Sequence, residues 1–312
     1  MKLLPPGFRI GHYTDVQNAT GCTVVLCPEK TVAGCDVRGN SPGSRELALL
    51  GSTKKMNEVH AILLTGGSAF GLAAADGVMR FLESKNRGYV TPWGRVPIVP
   101  AAVIFDLNVG SWSVRPTSED GYAACEAAST DVIVIGSVGA GTGATVGKWG
   151  GMESRMKGGI GLASWTKGDL TVSALAVVNA VGDVVDEKMD VIAGARSASG
   201  RWKAADDPLR SFARTAQVDQ TNTTLVVIMT DAKLSKIEAT LVSERAHDGM
   251  ARAIRPCHTS FDGDIAFALS SGETEAPMDS IAELGALLVA DAIRSAVRSA
   301  SSVAGIPALG AS

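Results

Sequence analysis

The sequence predicts one α/β or α+β domain spanning residues 1–312, with helices covering both faces of stacked sheets. Three observations carry this expectation. Short β-branched runs alternate with longer stretches of helical periodicity, no repeat of 20–50 residues is present, and no linker divides the chain. An apolar fraction of 46% and a charged fraction of 20% over 312 residues suffice for a sizeable core.

In chain order, CTVVLC (22–27) and KTVAGCDV (30–37) read as neighbouring strands joined by a Pro-Glu turn. HAILLT (60–65) reads as a buried strand that ends in Gly66-Gly67-Ser68. A helix then starts at Ser68, with Phe70, Ala74, Val78 and Phe81 near one face. AAVIFDL (101–107) and DVIVIG (131–136) read as buried strands, separated by a helix around SEDGYAACEAAS. DLTVSALAVVN (169–179) is a long strand, and GARSASGRWKAADDPLR after it is an exposed loop leading to a short helix. TTLVVIMTD (223–231) and DIAFALSS (264–271) are strands. Between them, residues 233–254 form a helix expected to turn Ile237, Leu241 and Ala246 inward. Residues 278–300 form a strong final helix.

Composition removes several function classes. With 29 basic and 32 acidic residues, the net charge is -3 and no block of like charge occurs. Such a chain is not built to neutralise nucleic acid or an anionic membrane surface. Its 35 glycines and 5% aromatics favour tight turns and close backbone approach over an aromatic-lined groove. Five cysteines without CxxC spacing do not suggest a disulfide framework. The opening residues, interrupted by Pro5 and Pro6, do not read as a signal peptide, and no apolar run has the length of a membrane span. A soluble cytoplasmic protein is expected.

Four stretches can carry chemistry. The first is glycine-rich. LLTGGSAFGL offers N–H groups at a strand-to-helix turn, but without nucleotide-motif spacing it reads as tight packing. VGAGTGATVGKWGG (138–151) reads as a flexible or substrate-facing loop carrying Lys148. The second is CHTSFDGDIAFAL, where Asp262 and Asp264 would share a face of an extended strand. Two such carboxylates can bind a metal, shift each other's pKa or orient a nucleophile, and Asp-Gly-Asp is also ordinary turn chemistry. His258 lies four residues upstream and can complete a metal site, although no third strong ligand is evident nearby.

The third stretch is DQTNTTLVVIM, with Thr223 at a strand threshold, a common structural position. If the Asn222–Thr223 bond were strained, the Thr223 hydroxyl could attack its own preceding carbonyl. Hydrolysis of that ester frees an α-amine with a pKa of about 7.7–8.0, suited to act as base for its own hydroxyl. No G-x-S-x-G elbow or HExxH competes, and the chain has four histidines in all. The fourth stretch ends at Asn179 in AVVNAVGDVVD, either an oxyanion donor or a strand-end turn residue.

Together, TNTTLVVIMTDAKLS and MARAIRPCHTSFDGDIAFAL resemble the self-processing aminopeptidases of the L-aminopeptidase/D-esterase type. The resemblance is strongest to the endo-type branch that hydrolyses 6-aminohexanoate (nylon) oligomers. GCTVVLCPEKTVAGCDVRG, HAILLTGGSAFGLAAADGV, PAAVIFD and VGAGTGATVGKW agree in order upstream, so the resemblance covers about residues 10 to 300. It implies a four-layer αββα sandwich, like the N-terminal-nucleophile hydrolases but differently connected. It also implies self-cleavage between Asn222 and Thr223 into chains 1–222 and 223–312, with Thr223 as nucleophile for both cleavage and amide hydrolysis. Asp262 and Asp264 would polarise the nucleophile, Lys148 would be the basic residue of their network, and Asn179 would stabilise the oxyanion. No metal or organic cofactor is implied; the partners are a small peptide or amide substrate and further copies of the αβ heterodimer, in a tetramer or larger.

One position departs from the family pattern: relatives carry Tyr where this chain has Phe105, which lacks a hydroxyl donor. Two other functions compete. The ornithine acetyltransferases also self-cleave before Thr, but at a K-G-T-M-L pattern that N-T-T-L does not match. A ligand-binding αββα protein that never processes is the other. Low aromatic content favours a small or aliphatic substrate.

Overall fold

The computed structural model describes residues 3–209 and 222–310. Two five-stranded sheets stack face to face. The first, in spatial order β1-β2-β5-β8-β4, contains β1 (Arg9–Asp15), β2 (Thr20–Leu26), β4 (Ser44–Arg45), β5 (Ala61–Thr65) and β8 (Ala101–Val103). The second, in order β11-β12-β15-β17-β3, contains β3 (Val32–Val37), β11 (Gly159–Lys167), β12 (Leu170–Asn179), β15 (Thr223–Ala232) and β17 (Ile265–Thr274). Helices α1 (Ala74–Ser84) and α2 (Ser118–Glu126) cover the first sheet. Helices α3 (Lys236–Ala253) and α4 (Met278–Arg298) cover the second. Shorter pairings trim the ends: β6 (Tyr89–Thr91) with β7 (Gly94–Val96), β9 (Thr145–Val146) with β10 (Met156–Lys157), and β13 (Asp183–Val185) between β14 (Val191–Ala193) and β16 (Ile254–Arg255).

Strand periodicity explains why four layers form. Alternate side chains point to opposite faces, so a strand buried on both sides must be apolar throughout. In β15, Leu225, Val227 and Met229 enter the core between the sheets, while Val226 and Ile228 face the helices. β17 repeats the division, with Ile265, Phe267 and Leu269 between the sheets and Ala266 and Ala268 under the helices. Small residues on the helix side let α3 and α4 approach closely. Gly34 in β3 marks one such approach: a Cβ there would run into the α3 backbone at Ala239 and Thr240. Ser235 and Glu238 form a capping box that starts α3.

Several expectations are corrected. CTVVLC and KTVAGCDV are strands but not neighbours: β2 is in the first sheet and β3 pairs with β17 at the edge of the second. The chain between them crosses layers instead of closing a hairpin. DVIVIG is not a buried strand; Val132 and Val134 are exposed, and this segment makes isolated bridges at Ser129 and Gly136 without a ladder. Each bridge touches an edge strand, β1 at Ile10 and β11 at Ile160, so the segment passes between the two sheets and builds a ladder with neither, whatever its β-branched composition. β8 ends at Val103, after which the chain turns so that Asp106 Oδ1 accepts from Gly67 N at 2.7 Å. Phe70, Ile237 and Leu241 face outward; the inward face of α3 is Ala239, Val242, Ala246 and Met250. The short helix expected before Thr223 lies outside the described residues. Among the described residues, no helix is long and apolar enough to cross a membrane.

Candidate active site

Strand registry gathers the candidate residues. β15 runs antiparallel to β12 and parallel to β17, and the ladders pair Thr223 with Asn179 and Leu225 with Ile265. The start of β15, the end of β12 and the turn before β17 therefore meet at one end of the second sheet. Asn222 bridges to Asp262 there.

Thr223 is buried, and its hydroxyl donates to the carbonyl oxygen of Asn222, the residue before it, at 2.5 Å. The same oxygen accepts from Gly263 N at 2.7 Å. Gly263 must be glycine, because a Cβ would lie 2.5 Å from Ser41 O and 2.8 Å from Thr223 Oγ1. Asn222 and Thr223 line a cavity of about 220 Å³ whose other walls include Ser41, Ser68, Val103 and Phe105. Ser68 holds a left-handed backbone (φ 53°) at the mouth of that cavity, a conformation that costs energy for a residue with a Cβ.

Behind Thr223 lies a polar network. Asp264 Oδ1 accepts from Thr224 N at 2.6 Å, and its Oδ2 lies 2.7 Å from His258 Nδ1. Asp262 Oδ2 accepts from Thr259 N at 2.8 Å and Thr259 Oγ1 at 2.6 Å. Lys148 Nζ donates to Asn179 Oδ1 at 2.8 Å and Asn179 O at 3.1 Å. Asn179 Nδ2 donates to Phe105 O at 3.1 Å, so its amide ties β12 to the segment after β8. Burial, then the neighbouring Asp264, raises the Asp262 carboxyl to about 6. Burial pushes the Lys148 ammonium well below its ordinary value, with Asp262 opposing the shift.

Thus Asn222, Thr223, Asn179, Lys148, Asp262 and Asp264 occupy one connected site. The Gly-rich 138–151 stretch is corrected: it is largely buried, none of it lines the Thr223 cavity, and Lys148 is 2% exposed. The Gly66-Gly67 turn spends its N–H groups internally, Gly66 N on Gly21 O and Gly67 N on Asp106. A third ligand-type group does lie near His258: Cys257, His258 and Asp264 place ligand atoms within 4.8 Å of one another. The His258–Asp264 contact and the Thr224 N–H already occupy both oxygens of that carboxylate. Sequence reasoning missed Gly263 and Ser41. The glycine inside Asp-Gly-Asp was the available signal, but a turn glycine and a close-approach glycine look alike in sequence.

This chain belongs to peptidase family S58, whose family model matches residues 6–308. It is 43% identical to an uncharacterized aminopeptidase of Mycobacterium tuberculosis, across 96% of this chain and 94% of that protein. It is 32% identical to a 6-aminohexanoate-oligomer endohydrolase of Agromyces sp., across 87% of this chain and 75% of that protein. Among solved structures, a Burkholderia sp. β-aminopeptidase superposes with a TM-score of 0.70 at 21% identity, covering 98% of this chain and 89% of that one. The L-aminopeptidase D-Ala-esterase/amidase of Ochrobactrum anthropi gives 0.67 at 17% identity, covering 95% and 85%. The latter is described as a variant of the Ntn hydrolase fold, and this chain shares that fold. The protein is a peptide or amide hydrolase.

Proposed function

We propose that the chain cleaves itself between Asn222 and Thr223 and then acts as an N-terminal-threonine hydrolase on small amide substrates of the aminopeptidase or ω-amino acid oligomer type. The observation that carries this reading is the Thr223 hydroxyl packed on the Asn222 carbonyl while Gly263 N–H holds the carbonyl oxygen. Nucleophile, electrophile and oxyanion donor are thereby assembled around one peptide bond. In self-cleavage, Thr223 Oγ bonds to the Asn222 carbonyl carbon as the C–N bond breaks and the nitrogen takes the proton. Water then hydrolyses the ester, giving an Asn222 carboxylate and a free Thr223 amine and hydroxyl.

In turnover, Thr223 Oγ attacks the substrate carbonyl, and its α-amine accepts the hydroxyl proton and passes it to the leaving amine. Water hydrolyses the acyl-threonine ester and restores the enzyme. Asp264 fixes the Thr224 amide and hence the nucleophile's strand. Asn179 donates to the oxyanion, and the hydrogen bond from Lys148 to its Oδ1 makes its Nδ2 hydrogens more acidic. Denaturing intact-mass spectrometry tests the reading: fragments of about 23 and about 9 kDa, scaled by length, are expected in place of one 32.1 kDa species. A single intact species unchanged over days would favour a ligand-binding role.

Two further outcomes follow from the network. Ionised Asp262 favours the charged form of Lys148, so protonation of Asp262 weakens the polarisation of Asn179. Because its carboxyl is raised to about 6, the hydrolytic rate falls as pH drops through about 6. Asp262→Asn abolishes that inflection and leaves a uniformly slow enzyme; a pH–rate profile checks both. Phe105→Tyr supplies a hydroxyl at the cavity wall, and a gain of about 10-fold in kcat is expected, within the scale of one oxyanion donor. An unchanged kcat would show that the missing hydroxyl is immaterial.

A further inference from the structure

The turn between β16 and β17 holds His258 in an unusual setting. Its backbone is left-handed (φ 55°), a conformation disfavoured for a residue with a Cβ and found where the surroundings over-determine it. The His247 ring from α3 stands edge-on against it, centroids 4.8 Å apart and planes at 66°. On its other side, Nδ1 lies 2.7 Å from Asp264 Oδ2. The imidazole tautomer with its proton on Nδ1 suits this contact, because a carboxylate oxygen accepts that N–H. Its Nε2 is buried and has no hydrogen-bond partner among the described residues. A buried polar atom left unpaired is costly, so packing alone favours an apolar residue here. The arrangement makes sense when the ring's use is the single Nδ1–H bond to Asp264.

Asp264 in turn accepts from Thr224 N at 2.6 Å through its other oxygen, one peptide from the Thr223 hydroxyl. The chain His258–Asp264–Thr224 thus connects the α3 face to the nucleophile. We infer that His258 is a positioning residue for the Thr223 centre: its Nδ1–H fixes the rotamer of Asp264 and, through the Thr224 amide, the placement of Thr223. His258 does not line the cavity, so it acts on the reacting geometry without touching substrate. This inference rests on the proposed role of Thr223.

The test uses the full-length chain itself as substrate, translated in a cell-free system, with self-cleavage followed by gel after a radiolabel pulse. His258→Asn places an amide N–H where Nδ1 stood, and Asn tolerates a left-handed backbone; cleavage within about threefold of the parent chain is expected. His258→Gln carries its donor to the Nε2 position, where nothing accepts it, and His258→Ala has no donor. Both are expected to slow cleavage on the order of 10²-fold, the scale of a misplaced reacting group. Gln at the parent rate, or Asn as slow as Gln, would overturn the inference. The Asn variant, which suits the backbone, carries the comparison if Ala does not fold. Thr223→Ala separates the two readings: cleavage persisting there removes the Thr223 role itself. Cleavage lost there but unchanged in His258→Gln removes only the role of His258.

Discussion

Replacing Thr223 with Ala leaves the chain as one species of 32.1 kDa and lowers amide hydrolysis on the order of 10⁴-fold or more. The reason lies in what one hydroxyl does. It sits 2.5 Å from the Asn222 carbonyl oxygen; in the proposed reaction it attacks that carbonyl first and afterwards accepts the substrate's acyl group. Ala removes both roles and little else, because Thr223 sits in a central strand whose ladder to Asn179 is made by backbone atoms. Thr223→Ser restores a hydroxyl and is expected to recover cleavage in part, since loss of the γ-methyl frees the rotamer. Intact-mass spectrometry reads processing, and an anilide assay reads hydrolysis. A Thr223→Ala chain that still divides into about 23 and about 9 kDa would place the nucleophile elsewhere and end the N-terminal-threonine reading.

The two halves of that argument were unequally legible in the sequence. The strands that carry the site, β12, β15 and β17, are long apolar runs buried on both faces, and such runs announce themselves. Thr223, Asn222, Asn179 and the aspartate pair stand at the ends of those runs, where polar residues are conspicuous. Lys148 was visible, but its burial was not: a glycine-rich stretch looks like a flexible loop whether it lies in solvent or threads between layers. Long-range pairing was also hidden. Nothing in KTVAGCDV says that β3 crosses to the second sheet to pair with β17. Helix faces failed for a related reason: apolar residues such as Ile237 and Leu241 repeat at helical spacing, while the face that packs is made of alanines, Val242 and Met250. His258 was noticed as a metal ligand candidate because its type suggests it. Its contact with Asp264 depends on a left-handed turn that residue identity does not encode.

Gly263→Ala is expected to slow self-cleavage by about 10²–10³-fold, the cost of one oxyanion donor. Gly263 N–H is 2.7 Å from the Asn222 oxygen, the atom on which negative charge would develop in the proposed attack by Thr223 Oγ. A Cβ at 263 meets two atoms that cannot both yield: the Ser41 carbonyl at 2.5 Å and the Thr223 hydroxyl at 2.8 Å. Relief requires the turn to move away from the Asn222 bond or the hydroxyl to leave its carbonyl, and either motion separates parts of the same reaction. The neighbouring aspartates stay chemically intact, so the effect is distinct from that of Asp262→Asn: the variant keeps the pH inflection near 6 and loses rate at every pH. Asp262 O also accepts from Ser41 N at 3.1 Å, so the 41–43 wall of the cavity shifts with the turn and KM is expected to rise together with the loss in rate. A Gly263→Ala chain that cleaves at the parent rate would mean that the Asn222 carbonyl is activated without this amide, and that the glycine serves only to admit the Ser41 backbone.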